Sequence, residues 1–411
     1  MATTKEDRMR IGAQRSQLFT ERSSAAVPSG FIDSLNNEQA TLTDAQMGQA
    51  EALLSSGAVQ VMVPARNEKQ FGAIQDVLSY LEGKAGRENI LVIDADSTDG
   101  TGDYARGRDL ETVAQSAVEA CIDMDRVAED FGIQLPIRAG KGRTMMAAVL
   151  YQRLIQADRL SRVRYNLMSD ADITNPFGFD HASYLAWAAS LYPPEMLVEV
   201  RAAQHDRNNQ IVMDAMAALQ SSNPIMRDYF LRMMETVWPL TGQMIKRPEV
   251  MQASVNNVGY ATEIISGMSA VDYENAHPET RRAQIEVPVR CMDGANDDQK
   301  ENEMMVGISN TVATLDQHVF AQGLRLNQMR PEDYRRLNAA FRAADPLYVP
   351  TIDMKTGENM LSAIRADVFM PPVTYLIDNG YVDLGRVAKL KQSQYGGQWN
   401  GFTPENSNVR D

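Results

Sequence analysis

The sequence predicts an α/β protein in which helices flank a mostly parallel, doubly wound sheet. Short β-rich runs alternate with helical segments over the first part of the chain, and several of these runs end in polar turns. This alternation is typical of βαβ units, whose ligands bind beyond the carboxyl ends of the strands. From about residue 298 onward the pattern becomes mainly helical.

Local patterns predict the individual elements. Thr43 and Asp44 are typical of a helix N-terminus, and they open a helix over residues 43–54. Apolar residues at three-to-four spacing predict further helices over 71–82, 110–131 and 144–157. Runs of β-branched and apolar residues predict the strands, at residues 59–63, 89–94, 134–137 and 163–168.

Composition limits the class of protein. The 411 residues suffice for one large domain with appendages or for two domains, and the net charge of -14 argues against electrostatic binding of nucleic acid. Two distant cysteines, Cys121 and Cys291, give no disulfide framework and no zinc site. No apolar run is long enough to span a membrane, and the polar N-terminus lacks a secretion signal. We therefore expect a cytoplasmic protein, and a homodimer is left open.

Four segments are expected along the chain. Residues 1–57 form an N-terminal extension, and residues 58–297 form the ligand-binding and catalytic domain. Residues 298–391 form a helical C-terminal region. Residues 392–411 are rich in Gly, Gln, Asn and Ser and predict a flexible tail.

Two carboxylates, Asp170 and Asp172, directly follow the fourth predicted strand. On an extended segment, residues i and i+2 point the same way, so both carboxylates can face one hard divalent cation. Such a cation, Mg²⁺ or Mn²⁺, bridges phosphates. Pairs of surface Asp residues are also common without any metal. The motif therefore indicates a metal site only together with the polar motifs that follow the other strands.

Polar motifs follow the other strands as well. Residues 63–68 (Val-Pro-Ala-Arg-Asn-Glu) and 94–101 (Asp-Ala-Asp-Ser-Thr-Asp-Gly-Thr) offer acceptors to a nucleotide base or ribose, although the second is also typical of a helix N-cap. Before the helix at 144, Gly140-Lys141-Gly142-Arg143 lets backbone approach a phosphate, with Lys141 and Arg143 supplying positive charge. A solvated basic turn is the alternative interpretation.

The order of these motifs resembles that of nucleotide-sugar glycosyltransferases of the GT-A fold. It is most similar to the retaining enzymes that make glucosyl-3-phosphoglycerate and mannosylglycerate. Two later segments extend the resemblance: residues 238–243 (Trp-Pro-Leu-Thr-Gly-Gln) are similar to an acceptor loop, and residues 259–264 (Gly-Tyr-Ala-Thr-Glu-Ile) are similar to a helix start. The resemblance covers residues 59–295, about half of the chain.

The motifs and this resemblance together imply a role for each candidate residue. The donor is expected to contact Pro64, Ala65, Arg66, Glu68, Asp94, Asp96, Gly140, Lys141, Asp170 and Ala171. The acceptor is expected to contact Leu240, Thr241, Gly242 and Arg207. Catalytic roles fall to Asp172, Glu263 and Gln243, and Mg²⁺ or Mn²⁺ is expected at Asp170, Asp172 and Asp293.

The chain departs from the family pattern at two positions. The family's acceptor loop carries Glu where this chain has Gln243, which keeps hydrogen-bonding capacity and loses the charge. The family also supplies a His as a third metal ligand, and the corresponding segment here, residues 285–297, contains none. Asp293 lies at or next to that position, and Asp is a suitable oxygen ligand, although a simple polar loop is the alternative. The four histidines are isolated along the chain.

The function expected from these residues is transfer of a hexose from a UDP- or GDP-linked sugar to a small hydroxylated acceptor such as glycerate or 3-phosphoglycerate. The resemblance implies retention of configuration, with the departing phosphate accepting the acceptor's proton. Other acceptors remain open, namely a sugar, a lipid or a modified DNA base. A nucleotidyltransferase and a non-catalytic scaffold with this fold are the competing classes.

Overall fold

The computed structural model describes thirteen stretches of the 411-residue chain, and every structural statement below concerns these stretches. They are residues 42–137, 140–174, 176–193, 196–202, 223–233, 242–259, 261–280, 282–287, 292–293, 298–343, 347–352, 359–364 and 367–395.

Seven strands build one mixed sheet in the order β3-β2-β1-β4-β7-β6-β9. Only β7 runs against its neighbours β4 and β6, so the predicted mostly parallel sheet is confirmed. Three two-stranded sheets pair β10 with β5, β11 with β12, and β13 with β8. The strands are β1 Val59–Ala65, β2 Ile90–Asp94, β3 Glu111–Ala114, β4 Tyr165–Met168, β5 Ile173–Thr174, β6 Leu197–Ala202, β7 Met244–Lys246, β8 Asn256–Asn257, β9 Arg282–Val287, β10 Met292–Asp293, β11 Leu347–Ile352, β12 Asn359–Ile364 and β13 Phe369–Met370.

Helices cover both faces of this sheet. They are α1 Asp44–Ser55, α2 Ala73–Ala85, α3 Thr101–Arg106, α4 Gln115–Glu119, α5 Met124–Phe131, α6 Lys141–Leu154, α7 Ala157–Leu160, α8 Pro176–Phe179, α9 His181–Ser190, α10 Pro224–Met233, α11 Pro248–Ala253, α12 Thr262–Ala276, α13 Asp298–His318, α14 Pro331–Ala343, α15 Val373–Asp378 and α16 Leu384–Tyr395. None of the helices in the described stretches combines the length and the apolar character that crossing a membrane requires.

Successive residues of the central strands alternate between two hydrophobic cores. On β1, Met62 packs into a first core, which α6 and α12 to α16 cover, whereas Val61 and Val63 pack into a second core beneath α1, α2 and α9. On β2, Leu91 packs into the first core and Ile90 packs into the second. Because both faces of the sheet are buried at its centre, β2 and most of β1 are apolar in sequence.

Helix α1 confirms the capped helix that the sequence predicts. The Thr43 hydroxyl accepts a hydrogen bond from the Gln46 amide, and the Gln46 side chain accepts one from the Thr43 amide, which together form a capping box. Ala50 and Leu54 then bury the inner face of the helix in the second core.

Two sequence predictions are wrong. The single helix expected over 110–131 is instead β3, α4 and α5, because Thr112 and Val113 pair with β2 and Asp123 caps a new helix by accepting from the Arg126 amide. The strand expected over 134–137 is irregular and contains the cis Leu135–Pro136 bond. Proline has no N–H to donate to a ladder. The third strand of the chain is therefore β3, and β4 remains the fourth.

The C-terminal region is mainly helical, as expected, but it also contains the hairpin of β11 and β12. Its helices α13 and α14 add Ile308, Val312 and Phe341 to the first core. At the start of the expected tail, residues 392–395 continue α16, and residues 396–411 lie outside the described stretches. The four-segment organisation stays a prediction.

A buried ion cluster joins three strands of the main sheet. The Glu199 carboxylate on β6 lies 2.5 Å from Arg201, 3.0 Å from Lys246 on β7 and 3.3 Å from Arg282 on β9, and all four side chains are nearly inaccessible to solvent. Burial by itself would raise the pKa of Glu199, but Arg201, Lys246 and Arg282 outweigh it and hold the pKa well below the ordinary value. The Glu199 carboxyl is therefore ionised in the folded protein.

We expect Glu199→Gln to lower the free energy of unfolding by about 3–5 kcal/mol near pH 7, since it leaves buried cations uncompensated. A carboxyl whose pKa is lowered by folding contributes fully above its unfolded pKa, about 4.3, and loses that contribution as pH falls. The difference from wild type should therefore narrow as pH falls below about 4. Urea unfolding from pH 3 to 7 measures it, and a difference that does not change with pH would contradict the prediction.

Candidate active site

The carboxyl ends of β1, β2 and β4 meet at one edge of the sheet. Ala65 pairs with Asp94 in register, and the Ala95 amide donates to the Ala65 carbonyl at 2.8 Å. On the other side of β1, the Ser169 amide donates to the Met62 carbonyl at 3.0 Å. The polar motifs that follow these strands in sequence are thus neighbours in space, as expected for a ligand site in a parallel sheet.

The loops after β1 and β2 are bonded to each other. Asn67 adopts a left-handed conformation with φ of 58°, and its amide donates to the Ser97 hydroxyl at 2.9 Å. Its side-chain oxygen accepts from the Thr98 amide at 2.9 Å. These bonds were not foreseen, and the tolerance of Asn for left-handed backbone was the only signal in the sequence. They fix a rigid wall beside Pro64 and Ala65.

The acidic residues of this wall differ in their burial and in the groups that donate hydrogen bonds to them. Asp94 is nearly buried and accepts from the Ser97 amide at 3.0 Å, and a Cβ at Gly102 would lie 2.1 Å from its Oδ2. Asp96 accepts from the Ser116 hydroxyl at 2.6 Å. Asp99 accepts from the Thr101 amide at 2.9 Å, but the N-cap of α3 is Gly100 and no side chain caps that helix, so the helix-cap interpretation is wrong. Arg66 is exposed and Glu68 is half-buried.

The Gly140-Lys141-Gly142 turn is pressed against β8. Gly140 precedes α6, and Lys141 is the first residue of that helix. A Cβ at Gly142 would lie 1.7 Å from the Asn257 carbonyl oxygen, and one at Gly140 would lie 2.1 Å from that of Val258. Both positions therefore require glycine because backbone approaches backbone, with no positive φ involved.

Lys141 bridges two carboxylates from distant parts of the chain. Its ammonium lies 2.8 Å from Asp170, which follows β4, and 2.8 Å from Glu263 in the first turn of α12. Burial would lower the pKa of Lys141, but Asp170 and Glu263 outweigh it and raise the pKa above its ordinary value. The ammonium therefore stays charged and partly accessible at the edge of the sheet.

Gln243 forms two hydrogen bonds with Asp170. Its side-chain oxygen accepts from the Asp170 amide at 3.0 Å, and its Nε2 donates to Asp170 Oδ2 at 3.1 Å. Gln243 is fully buried, and a Cβ at the preceding Gly242 would lie 1.6 Å from Asp170 Oδ2. The amide of Gln243 donates and accepts at the same time, so Gln243 orients Asp170.

The Asp170-Ala171-Asp172 segment is a turn, which corrects the extended conformation that the sequence analysis assumed. Asp170 points to Lys141 and Gln243, Ala171 is buried, and Asp172 is half-buried just before β5. β5 pairs with β10 so that Asp293 lies opposite Ile173, the residue next to Asp172. The backbone of Asp293 therefore lies one residue out of register with that of Asp172.

These oxygen ligands suit a hard divalent cation. Among the side chains that the structure describes, no three His, Cys, Asp or Glu converge, and the side chain of Asp293 is not one of those described. The β5–β10 pairing brings the backbone of Asp293 near that of Asp172, and a metal site formed by Asp170, Asp172 and Asp293 stays a prediction.

Arg143 does not serve the turn in the way expected. Its guanidinium forms a bidentate pair with Glu119 and donates to the Ile137 carbonyl, so it braces α6 against α4.

His181 is buried, and its Nε2 lies 3.2 Å from the Ser169 hydroxyl. Burial lowers the pKa of His181 to about 4, so this histidine is neutral at physiological pH.

The acceptor candidates Leu240, Thr241 and Arg207 lie outside the described residues.

The sheet order and the loops at its carboxyl edge define the GT-A fold, as the sequence analysis expected. The chain is similar to a structure of glucosyl-3-phosphoglycerate synthase from Mycobacterium tuberculosis in complex with Mn²⁺ and UDP-glucose. The identity is 16%, the TM-score is 0.52, and the match covers 82% of this chain and 96% of that one.

A second structure of that enzyme, which also holds glycerol 3-phosphate, matches with 16% identity and a TM-score of 0.52 over 82% of this chain and 97% of that one. A further mycobacterial protein matches with 18% identity and a TM-score of 0.52 over 82% and 93% of the two chains. No protein-family model and no curated protein matches the sequence.

We expect Gln243→Glu to destabilise the protein by about 1–3 kcal/mol near pH 7, because it removes a buried donor from Asp170 and brings a like charge beside it. Asp170 raises the pKa of the new carboxyl, so the loss should grow as pH rises from 5 to 8 and diminish as pH falls. Thermal and urea unfolding measure it. The exposed Gln75→Glu on α2 is the control, and equal behaviour of the two variants would contradict the role of Gln243.

Proposed function

We propose that this chain is a metal-dependent glycosyltransferase that moves a hexose from a nucleotide diphosphate sugar to a small hydroxylated acceptor. The observation that carries the proposal is the Lys141 ammonium, which Asp170 and Glu263 hold at the carboxyl edge of a GT-A sheet. A fixed ammonium donor at that edge suits a phosphate oxygen of the donor when a divalent cation offsets the two carboxylates.

The donor would lie along the wall formed by the loops after β1 and β2. Pro64 and Ala65 offer apolar packing to a base, and Asp94, Asp96, Arg66 and Glu68 are the polar groups nearest to the two strand ends. The similar solved structures contain UDP-glucose, so UDP-glucose is the first donor to test, and GDP-linked sugars follow.

Asp172 and Asp293, with Asp170, would hold Mg²⁺ or Mn²⁺. When bound, the cation neutralises the diphosphate leaving group. Lys141 adds a second positive charge and hydrogen-bond donors at the same phosphates, and Gly140 lets the backbone come close to them. Because Glu263 is paired with Lys141, its first role in this proposal is to orient the ammonium.

The transfer would retain the configuration of the sugar. The bond from the anomeric carbon to the phosphate oxygen breaks, the acceptor oxygen bonds to the same face, and the acceptor proton passes to the departing phosphate. Gly242 and Gln243 lie beside Asp170, and we propose that the loop preceding them orients the acceptor. Glycerate and 3-phosphoglycerate are the first acceptors to test, since similar structures hold phosphoglyceric acid or glycerol 3-phosphate.

A cytoplasmic location stays a prediction.

We expect Asp172→Asn to weaken binding of UDP in the presence of Mn²⁺ at least tenfold and to abolish hydrolysis or transfer of the sugar. Isothermal titration of UDP with and without Mn²⁺ measures the first effect, and product analysis by mass spectrometry measures the second. Asp158→Asn, a carboxylate 96% exposed on α7, is the matched control. Full activity of Asp172→Asn would contradict the proposal.

The wild-type titration also separates the competing classes. Binding of the diphosphate only with metal supports the glycosyltransferase, and no binding of any nucleotide supports a scaffold. Turnover of a nucleoside triphosphate with release of pyrophosphate would identify a nucleotidyltransferase instead.

A further inference from the structure

The C-terminal region contacts the strand that lies beneath the Lys141 turn. Phe369 and Met370 of β13 pair with Asn257 and Asn256 of β8. The pairing extends to the next residue, because the Val258 amide donates to the Val368 carbonyl at 3.0 Å. β8 is therefore held between β13 on one side and the Gly140–Gly142 turn on the other.

There is no free space between β8 and that turn. The carbonyl oxygens of Asn257 and Val258 occupy the positions where Cβ atoms of Gly142 and Gly140 would be. β8 also leads directly into α12, whose Glu263 is bonded to Lys141. A displacement of β8 would consequently move both the turn that carries Lys141 and the helix that carries its partner.

Asn338 on α14 fixes β13 in place. Its Nδ2 donates to the Phe369 carbonyl at 3.0 Å and to the Phe131 carbonyl at 2.9 Å, and its Oδ1 accepts from the Phe369 amide at 2.9 Å. The residue is 3% exposed, and both amide protons are in use. Phe341, one turn further along α14, stacks on the Phe369 ring with centroids 5.5 Å apart.

A second contact acts on the same segment. A Cβ at Gly259 would lie 1.5 Å from Asp367 Oδ1, and the Thr311 hydroxyl of α13 donates to Asp367. The chain just after β8 is thus in close contact with the residue that precedes β13. Two helices of the C-terminal region thus each contribute a side chain that holds β13 and the residue before it: Thr311 on α13 and Asn338 on α14.

We propose that Asn338 is a positioning residue for the donor site, acting through β13 and β8 to fix the Gly140–Gly142 turn and, with it, the Lys141 ammonium. The consequence for ligand binding rests on the proposed function, whereas the mechanical link between Asn338 and the turn does not. The C-terminal region is then a working part of the site.

Hydrogen exchange tests the mechanical link without any ligand. The amides of Arg143 and Thr144 donate to the Gly140 carbonyl, at 3.1 and 3.2 Å, so they report on the turn directly. In Asn338→Ala we expect these two amides to exchange at least about tenfold faster, because local opening of the turn becomes easier. Asn338→Ser, which keeps a single donor, should give a smaller increase and serves if the alanine variant fails to fold.

Tyr229→Phe is the matched control. The Tyr229 hydroxyl on α10 donates to Asp272 in the C-terminal half of α12 at 2.6 Å and accepts from the Leu326 amide at 3.3 Å. This variant therefore loses buried hydrogen bonds away from β13 and away from the Glu263 end of α12. We expect it to lower the melting temperature without selectively accelerating Arg143 and Thr144. Equal exchange at these amides in wild type and both Asn338 variants, or an equal increase in Tyr229→Phe, would overturn the inference.

Titration with UDP and Mn²⁺ then tests the consequence for binding. We expect the dissociation constant to rise at least threefold in Asn338→Ala and to stay within twofold of wild type in Tyr229→Phe. If the wild type binds UDP and Asn338→Ala binds it equally well, the positioning role is wrong. If the wild type binds no nucleotide, the proposed function fails, and the exchange rates at the turn still decide the role of Asn338.

Discussion

The ion pairs of Lys141 with Asp170 and Glu263 are the interaction on which the rest of the site depends. One ammonium joins the end of β4, the start of α6 and the start of α12, and each distance is 2.8 Å. Without the lysine, two carboxylates would face each other across the carboxyl edge of the sheet, which is costly in a partly buried place. Without the carboxylates, the charge would have no fixed position from which to meet a diphosphate.

The neighbouring residues act by keeping this arrangement in one geometry. Gln243 orients Asp170 with two hydrogen bonds, and Gly242 leaves room for its carboxylate. The position of Arg143 in the sequence predicts a second phosphate ligand, but its guanidinium pairs with Glu119 and holds α6 in place. Of the two cationic residues expected at the Gly140–Arg143 segment, Lys141 alone is placed to meet a ligand at the carboxyl edge.

The alternation of strands and helices was sufficient to predict the sheet, its mostly parallel character and the gathering of polar motifs at one edge. It failed over residues 110–131, where β3 is only four residues long and its sequence also fits a helical spacing. The pairing of Lys141 with Glu263 could not be predicted, because it joins residues 122 positions apart through packing of α6, β8 and α12. The role of Gln243 depends on the same long-range packing, and so does the brace from Asn338.

The approach of β8 to the Gly140–Gly142 turn has a consequence for how this protein tolerates substitution. The contacts are made by carbonyl oxygens of Asn257 and Val258, and every amino acid has that oxygen. No exchange of side chains along β8 can therefore make room for a Cβ at position 140 or 142. Substitutions of the β8 residues are tolerated as far as their other contacts allow. A substitution of Gly140 or Gly142, in contrast, cannot be compensated by a second mutation in β8.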